Sequence, residues 1–191
     1  MEQSVVLIKP DGIKRGLIGE IIRRLERAGL KIIAMKMVWV DKDKVGKHYT
    51  NKKAYLTSLG KKTLETYKKY GKDPKEDLGT KNPLEIGKMV RQWNMEFLSS
   101  GPVVAILWEG PSAIEVIRKI VGPTFPLFAA PGTIRGDYSF DSALLSNVGK
   151  RSTKNLIHAS GDSKEAKFER QLWFREDEIY AYKRSEEEAM T

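Results

Sequence analysis

Three apolar runs, each adjoining glycine or proline, constrain the fold of this chain more than any other feature of its sequence. Ser4–Lys9 stops at a Pro-Asp-Gly turn and predicts a buried strand. Leu30–Val40 and Val103–Trp108 predict two further strands. Between the first two runs, the apolar residues of 17–28 fall on one helical stripe that ends at Gly29. The first part of the chain therefore predicts a strand–helix–strand unit.

A second unit of the same kind follows the third strand. Ser112–Val121 opens with the spacing of a capping box and predicts a helix. The segment 122–137 contains glycine, proline and threonine too densely for regular structure. Leu156–Ser160 predicts a fourth strand, and a helix capped by Asp162 or Ser163 follows it. We therefore expect an α/β (α+β) fold of the ferredoxin-like, split βαβ type, with an antiparallel four-stranded sheet covered by helices on one face.

Composition excludes several classes of protein. The chain has 191 residues, 40% hydrophobic and 31% charged, as in a globular protein of one domain. Because cysteine is absent, disulfides, thiolate metal sites and cysteine nucleophiles are excluded. The sequence shows neither a signal-peptide pattern nor an apolar stretch near the ~20 residues that span a bilayer. We expect a cytoplasmic protein without a membrane partner.

The positive charge is concentrated in one segment. Of the net charge of +9, the residues Lys47–Arg91 contribute +7, from twelve basic and five acidic side chains. Helical patterns surround a polar stretch here, around 43–56 and 86–98, with the polar part at 71–83. A basic segment is compatible with nucleic-acid binding as a secondary role. A solvated helical surface is the favoured interpretation, because the lysines are mixed with acidic residues and lack an array of base-stacking aromatic residues.

The candidate chemistry centres on His158. The sequence has no Gly-x-Ser-x-Gly elbow, no Walker-type phosphate loop and no Gly-x-Gly-x-x-Gly after a strand. His158 stands at a predicted strand end just before a helix N-terminus, where phosphate binds readily. The other histidine, His48, lies in a basic helical stretch, and we assign it no catalytic role. Four further side chains suit the oxygens of a nucleoside polyphosphate: Lys9, Arg118, Thr124 and Arg135.

These motifs occur as ordered blocks: Ile8–Gly12, Arg15–Glu20, Ser100–Ala105 with Trp108–Gly110, Pro131–Asp137 and Asn155–Ser160. Together the blocks closely resemble the nucleoside diphosphate kinase family, and the resemblance covers about Ser4 to Tyr182. A single block would be a weak signal, but several in this order are specific.

The resemblance implies ping-pong phosphoryl transfer through a phosphohistidine on His158. It also implies that Glu169 hydrogen-bonds the other imidazole nitrogen, that Ser160 lies near this glutamate, and that Tyr49 lies beside His158. The residues that it assigns to phosphate and ribose are Lys9, Arg118, Thr124, Arg135 and Asn155. Mg²⁺ would arrive with the nucleotide, so no protein-only metal site is expected. Base selectivity should be low, because the family binds bases mainly by stacking, and Tyr55 is the candidate stacking residue.

The sequence also departs from the short family form. We expect one domain over 1–191 with two insertions, at about 59–92 and 138–154, which resemble those of archaeal members. The second insertion would reach the nucleotide site or a subunit contact. Gly161 displaces the expected aspartate after the histidine to Asp162.

The family usually forms hexamers built from dimers, which implies a homohexamer here. The rival interpretations are a nucleic-acid-binding module and an inactive paralogue; the latter is disfavoured because each catalytic position that can be mapped carries the expected residue type.

Overall fold

The computed structural model describes residues 1–185. Within them, an antiparallel sheet has the strand order β2-β3-β1-β4. Its strands are Glu2–Ile8 (β1), Lys31–Trp39 (β2), Pro102–Gly110 (β3) and Ile157–Ala159 (β4). This order confirms the predicted ferredoxin-like topology. The register places Leu7 of β1 opposite His158 of β4, so the catalytic candidate lies on an edge strand.

The α-helices are Pro10–Lys14 (α1), Ile18–Arg27 (α2), Lys42–His48 (α3), Lys53–Lys69 (α4), Pro74–Leu78 (α5), Pro83–Leu98 (α6), Ala113–Val121 (α7), Ile134–Tyr138 (α8), Ala143–Val148 (α9) and Ser163–Trp173 (α10). Two 3₁₀ helices span Pro126–Phe128 and Glu176–Glu178. The single helical pattern around 43–56 is thus two helices, α3 and α4.

The core lies on both faces of the sheet, so the prediction of helices on one face was wrong. All of Val5–Ile8 is fully buried. Because successive strand residues point to opposite faces, Val5 and Leu7 pack with α3, α6 and α10, whereas Val6 and Ile8 pack with α2 and α7. A strand that is apolar on both sides needs cover on both sides.

Side-chain caps at helix N-termini explain two more differences between the structure and the prediction from the sequence. The polar stretch 71–83 contains the short helix α5, because Asp73 accepts a hydrogen bond from Lys75 N. The segment 122–137, which was expected to be irregular, ends in α8, because Thr133 accepts one from Gly136 N. The capping box predicted at Ser112 does not form.

Glu2 replaces that capping box. Ser112 has φ 46° and no side-chain cap, and Ile114 N donates instead to Glu2 Oε2 at 2.9 Å. A residue distant in sequence thus satisfies the first turn of α7. At α10 the predicted cap is confirmed, because Asp162 accepts from Lys164 N and Glu165 N.

Helices α4 and α6 pack backbone against backbone. A Cβ atom added to Gly60 would lie 1.8 Å from Pro83 O, and one added to Gly87 would lie 1.8 Å from Leu56 O. Only glycine permits this approach. Residues of both helices and of β4 line one cavity. Among residues 1–185, no helix has the length and apolar character needed to cross a membrane.

Candidate active site

His158 lies at the centre of β4 and faces a cavity. Its Nε2 is 2.6 Å from Glu169 Oε1, and within residues 1–185 its Nδ1 makes no hydrogen bond. Burial holds the pKa of His158 well below its usual value, and the positive charges of Lys9, Arg135 and Arg118 lower it further. The imidazole is therefore neutral near pH 7, as a nitrogen nucleophile must be.

Glu169 is fixed by a second hydrogen bond. Ser160 Oγ donates to Glu169 Oε2 at 2.7 Å, and Val5 N donates to the same Ser160 oxygen at 3.0 Å. Burial raises the pKa of Glu169. A carboxylate beside Nε2 favours the tautomer with the proton on Nε2, which leaves the Nδ1 lone pair directed to the cavity. This is the arrangement that the family resemblance implied for Glu169 and Ser160.

His48 is the site residue that the sequence analysis missed. Its ring meets the His158 ring edge to face, with centroids 4.7 Å apart, and its Nδ1 lies 3.4 Å from Glu169 Oε1. Trp173 Nε1 donates to the same Nδ1 at 3.5 Å. Burial, with the adjacent His158, lowers the pKa of His48 to about 3. Its neighbour Tyr49 could have signalled this position, because the resemblance already placed Tyr49 beside His158.

Tyr49 packs against His48, with ring centroids 4.8 Å apart, and lines the cavity. Burial raises its pKa, so the phenol remains protonated. Tyr49 therefore presents a neutral hydroxyl at the site.

The buried ammonium of Lys9 also lines the cavity. Lys9 Nζ donates to Asn155 Oδ1 at 2.8 Å, and Asn155 Nδ2 donates to Thr124 O at 2.8 Å. Lys9 is 8% exposed, and its burial together with Arg135 lowers its pKa to about 8. A desolvated ammonium of this kind favours an anion as its partner.

The two arginines of the site differ in their partners. Arg135 is buried and donates to Asn155 O at 3.2 Å, Gly122 O at 2.8 Å and Ile157 O at 2.6 Å. It therefore ties α8 both to Gly122 and to the segment Asn155–Ile157, in addition to lining the cavity. Arg118 is exposed and makes no hydrogen bond or ion pair within residues 1–185. Its whole guanidinium is available to a ligand.

The cavity has a volume of about 490 Å³, in the range of small-molecule sites. Of the predicted site residues, it is lined by Lys9, Tyr49, Arg118, Thr124, Arg135, Asn155 and His158, as well as Tyr55. Ser160 and Glu169 lie behind His158 and support it. Much of the remaining lining comes from α4, α6, α9 and the chain after α9.

A family model described as nucleoside diphosphate kinase matches residues 2–61 and 85–179. The chain belongs to the nucleoside diphosphate kinase family. Its relatives include the nucleoside diphosphate kinase of Pyrobaculum aerophilum, 44% identical over 94% of this chain and 98% of the relative. That of Borreliella burgdorferi is 36% identical over 98% of this chain and 95% of the relative.

Solved structures of this family have the same fold. The crystal structure of an NDP kinase from Pyrobaculum aerophilum has a TM-score of 0.91 at 42% identity and covers 94% of this chain and 99% of its own. A transition-state mimic of the nucleoside diphosphate kinase from Borrelia burgdorferi, with bound vanadate and ADP, has a TM-score of 0.78 at 36% identity and covers 97% of this chain and 94% of its own.

The family model leaves residues 62–84 unmatched and continues without a break through 138–154. The single domain with two insertions, at about 59–92 and 138–154, stays a prediction. Residues of both segments line the cavity, among them Lys62 and Asn147.

Proposed function

We propose that this chain transfers the terminal phosphoryl group of a nucleoside triphosphate to a nucleoside diphosphate, with His158 as the carrier in a ping-pong mechanism. The observation that carries the proposal is the His158 ring: Nε2 is held by Glu169, and Nδ1 is unbonded within the described residues and faces the cations of the cavity.

The proposed step uses Nδ1 of His158 as the nucleophile and the Glu169 carboxylate as its stabilising charge. The Nδ1 lone pair attacks the γ-phosphorus, the bond from phosphorus to the β-phosphate oxygen breaks, and the diphosphate leaves with that electron pair. The ring gains positive character, which the Glu169 carboxylate stabilises through the Nε2 proton. A second diphosphate then reverses the step and regenerates neutral His158.

The surrounding residues position and neutralise the phosphates. Lys9 and Arg118 supply the positive charge that phosphoryl transfer requires, and Arg135 adds charge while fixing the loops. Asn155, bonded to Lys9, and Thr124 contact the ribose and phosphates. Tyr49 supports the histidine side of the cavity through His48. Tyr55 stacks on the base.

Magnesium belongs to the substrate in this proposal. The lining around His158 is mainly cationic, with Glu165 as its carboxylate, so it does not resemble the oxygen-rich set that Mg²⁺ prefers. The ligand atoms of His48, His158 and Glu169 lie within 4.8 Å of one another, but two imidazoles suit transition metals better than Mg²⁺. Mg²⁺ therefore enters bound to the phosphate oxygens.

Assembly and location complete the proposal: a homohexamer in the cytoplasm. The edge strand β2 supports an oligomer, because Met35, Met37 and Trp39 are 55%, 56% and 71% exposed in the single chain. Exposed apolar side chains along an edge strand are typical of a surface that another subunit covers.

Initial rates test the mechanism. With ATP and thymidine diphosphate varied together in the presence of Mg²⁺, a carrier mechanism gives parallel double-reciprocal lines. Intersecting lines would indicate a ternary complex and contradict the carrier role.

A further inference from the structure

Leu156 has a backbone conformation that is rare for leucine, and it lies two residues before His158. Its φ is 69°, in the left-handed region, where the Cβ atom of a non-glycine residue is crowded. Across it, Ile157 N donates to Asn155 O at 2.8 Å, so Leu156 is the central residue of a γ-turn with positive φ, the rare and strained type. Such a conformation persists only where the surrounding structure holds it.

The Lys-Pro-Asp-Gly stretch 9–12 holds both backbone polar groups of Leu156. Lys9 N donates to Leu156 O at 2.8 Å, and Leu156 N donates to Asp11 Oδ2 at 3.0 Å. A Cβ atom added to Gly12 would lie 2.9 Å from Leu156 O, so glycine permits the carbonyl to come this close. The Leu156 side chain is buried in the core. Both the backbone and the side chain of Leu156 are therefore fixed.

The γ-turn determines where two residues of the candidate site lie. Directly before Leu156, Asn155 Oδ1 accepts the hydrogen bond from the buried ammonium of Lys9. Directly after it, β4 begins, with His158 as its second residue. A change of φ at Leu156 would therefore rotate Asn155 relative to His158.

Asp11 acts on the site from outside the cavity. Its Oδ1 is buried and has no hydrogen-bond partner within residues 1–185, and the cavity lining in this part of the chain does not include Asp11. Burial lowers the pKa of Lys9 and of Arg135, and the negative charge of Asp11 opposes this shift in both. Asp11 can therefore affect the site in two ways, through the Leu156 backbone and through its charge.

We propose that Asp11 is a positioning residue for phosphoryl transfer: by accepting the Leu156 N–H, it holds the strained γ-turn that fixes the positions of Asn155 and His158. The proposal rests on the proposed function, because His158 is the phosphoryl carrier there. Without the acceptor, Leu156 returns towards an ordinary φ, and its neighbours shift with it. Displacement of a reacting group by about 1 Å lowers a rate by up to about a hundredfold.

The test measures the single-turnover rate of phosphoenzyme formation with saturating ATP and Mg²⁺, below the melting temperature of each variant. Asp11→Ala removes the acceptor and should lower this rate by about tenfold to a hundredfold. Asp11→Asn keeps an oxygen for Leu156 N and removes the charge, so its rate should stay within about threefold of the wild type. The control is Asp73→Ala, which removes an acceptor of the same kind, for Lys75 N, outside the cavity lining and should keep the wild-type rate.

Gly12→Ala disturbs the same turn without changing Asp11, and it carries the test if Asp11→Ala does not fold. Its Cβ would press on Leu156 O, so the rate should fall by about tenfold or more. A wild-type rate in folded Asp11→Ala or folded Gly12→Ala would overturn the proposal. Equal losses in Asp11→Ala and Asp11→Asn would assign the effect to charge and would overturn it as well. Absence of any phosphoenzyme in the wild-type protein would instead contradict the proposed function, so the two failures are distinguishable.

Discussion

Arg118 and Arg135 both line the cavity beside His158, but only Arg135 is committed to the fold. We expect Arg118→Ala to lower kcat/KM by tenfold to a few hundredfold, about 1.4–3.5 kcal/mol of transition-state stabilisation, with little change in the melting temperature. Arg135→Ala should lower both kcat/KM and the melting temperature, because it also removes the donors to Asn155 O, Gly122 O and Ile157 O.

Kinetics and thermal melting of the two variants, measured together, check this difference. The neighbouring Lys119→Ala is the control, since Lys119 is exposed and does not line the cavity. Equal melting temperatures for Arg118→Ala and Arg135→Ala would show that the three carbonyl contacts do not stabilise the fold.

Burial of His48 as a neutral ring makes stability depend on pH. Its pKa is about 3 in the folded protein against 6.5 for an ordinary histidine. Between pH 3 and pH 6.5 the unfolded chain binds a proton at His48 that the folded chain excludes. The free energy of unfolding therefore decreases as the pH falls below about 6.5, by up to about 1.4 kcal/mol per pH unit.

Urea unfolding at about pH 7 and about pH 5 measures this loss. In His48→Gln the decrease between the two pH values should be smaller than in the wild type, because one excluded proton is gone. An identical decrease in both proteins would mean that His48 accepts its proton without a penalty.

For individual residues, the sequence predicted most of the candidate site, because short motifs keep their residues together along the chain. His158, Asn155 and Ser160 occupy one stretch, and Arg135 lies in a short glycine-bounded one. His48 was missed because its role comes from packing, in which α3 brings its ring against β4 and α10. Periodicity in a lysine-rich helix does not indicate that contact, and only the neighbouring Tyr49, placed beside His158 by the family resemblance, pointed to it.

At the scale of elements, the contact between α4 and α6 depends on two glycines. A Cβ on Gly60 or Gly87 would overlap the backbone of the opposite helix, which cannot move aside as a side chain can. We expect Gly60→Ala and Gly87→Ala each to lower the free energy of unfolding by about 3 kcal/mol.

The control is Gly19→Ala in α2, where an added Cβ meets no atom within 4 Å. This substitution should raise the free energy of unfolding by roughly 0.5–1 kcal/mol, because alanine has the better helix propensity. Denaturant unfolding compares the three variants. A Gly60→Ala protein as stable as Gly19→Ala would contradict the close packing.

The strands and the helices α2, α6, α7 and α10 could be predicted from periodicity, but the extent of α4 and the cover on both faces of the sheet could not. An apolar run such as Val5–Ile8 shows burial on both sides without showing what supplies it. Likewise, the cap of α7 comes from Glu2, more than a hundred residues away, so the local Ser112 pattern predicted the wrong partner. Contacts between distant segments decide such cases.

For the whole molecule, the exposed edge of β2 bears on assembly. We expect the protein to form hexamers, measured as mass in solution by light scattering. Met37→Glu should shift it to smaller species, because a buried charge at an interface is costly. Hexamers unchanged by this substitution would show that the β2 edge is not a contact.

The net charge of +9 also bears on partners. Nucleic-acid binding as a secondary role of Lys47–Arg91 predicts an affinity that falls steeply as salt rises, since each neutralised phosphate releases counterions. Titrating labelled RNA at several salt concentrations tests this. Absence of binding even at low salt would leave the segment as a solvated helical surface.

The most direct test of the central claim is to incubate the protein with γ-labelled ATP and Mg²⁺ and ask where the label stays. The chain has two histidines, so His158→Gln and His48→Gln form a matched pair. We predict an acid-labile, alkali-stable adduct on the wild type and on His48→Gln, removed by GDP as labelled GTP, and none on folded His158→Gln. Label that persists on His158→Gln would contradict the assignment of His158 as the phosphoryl carrier.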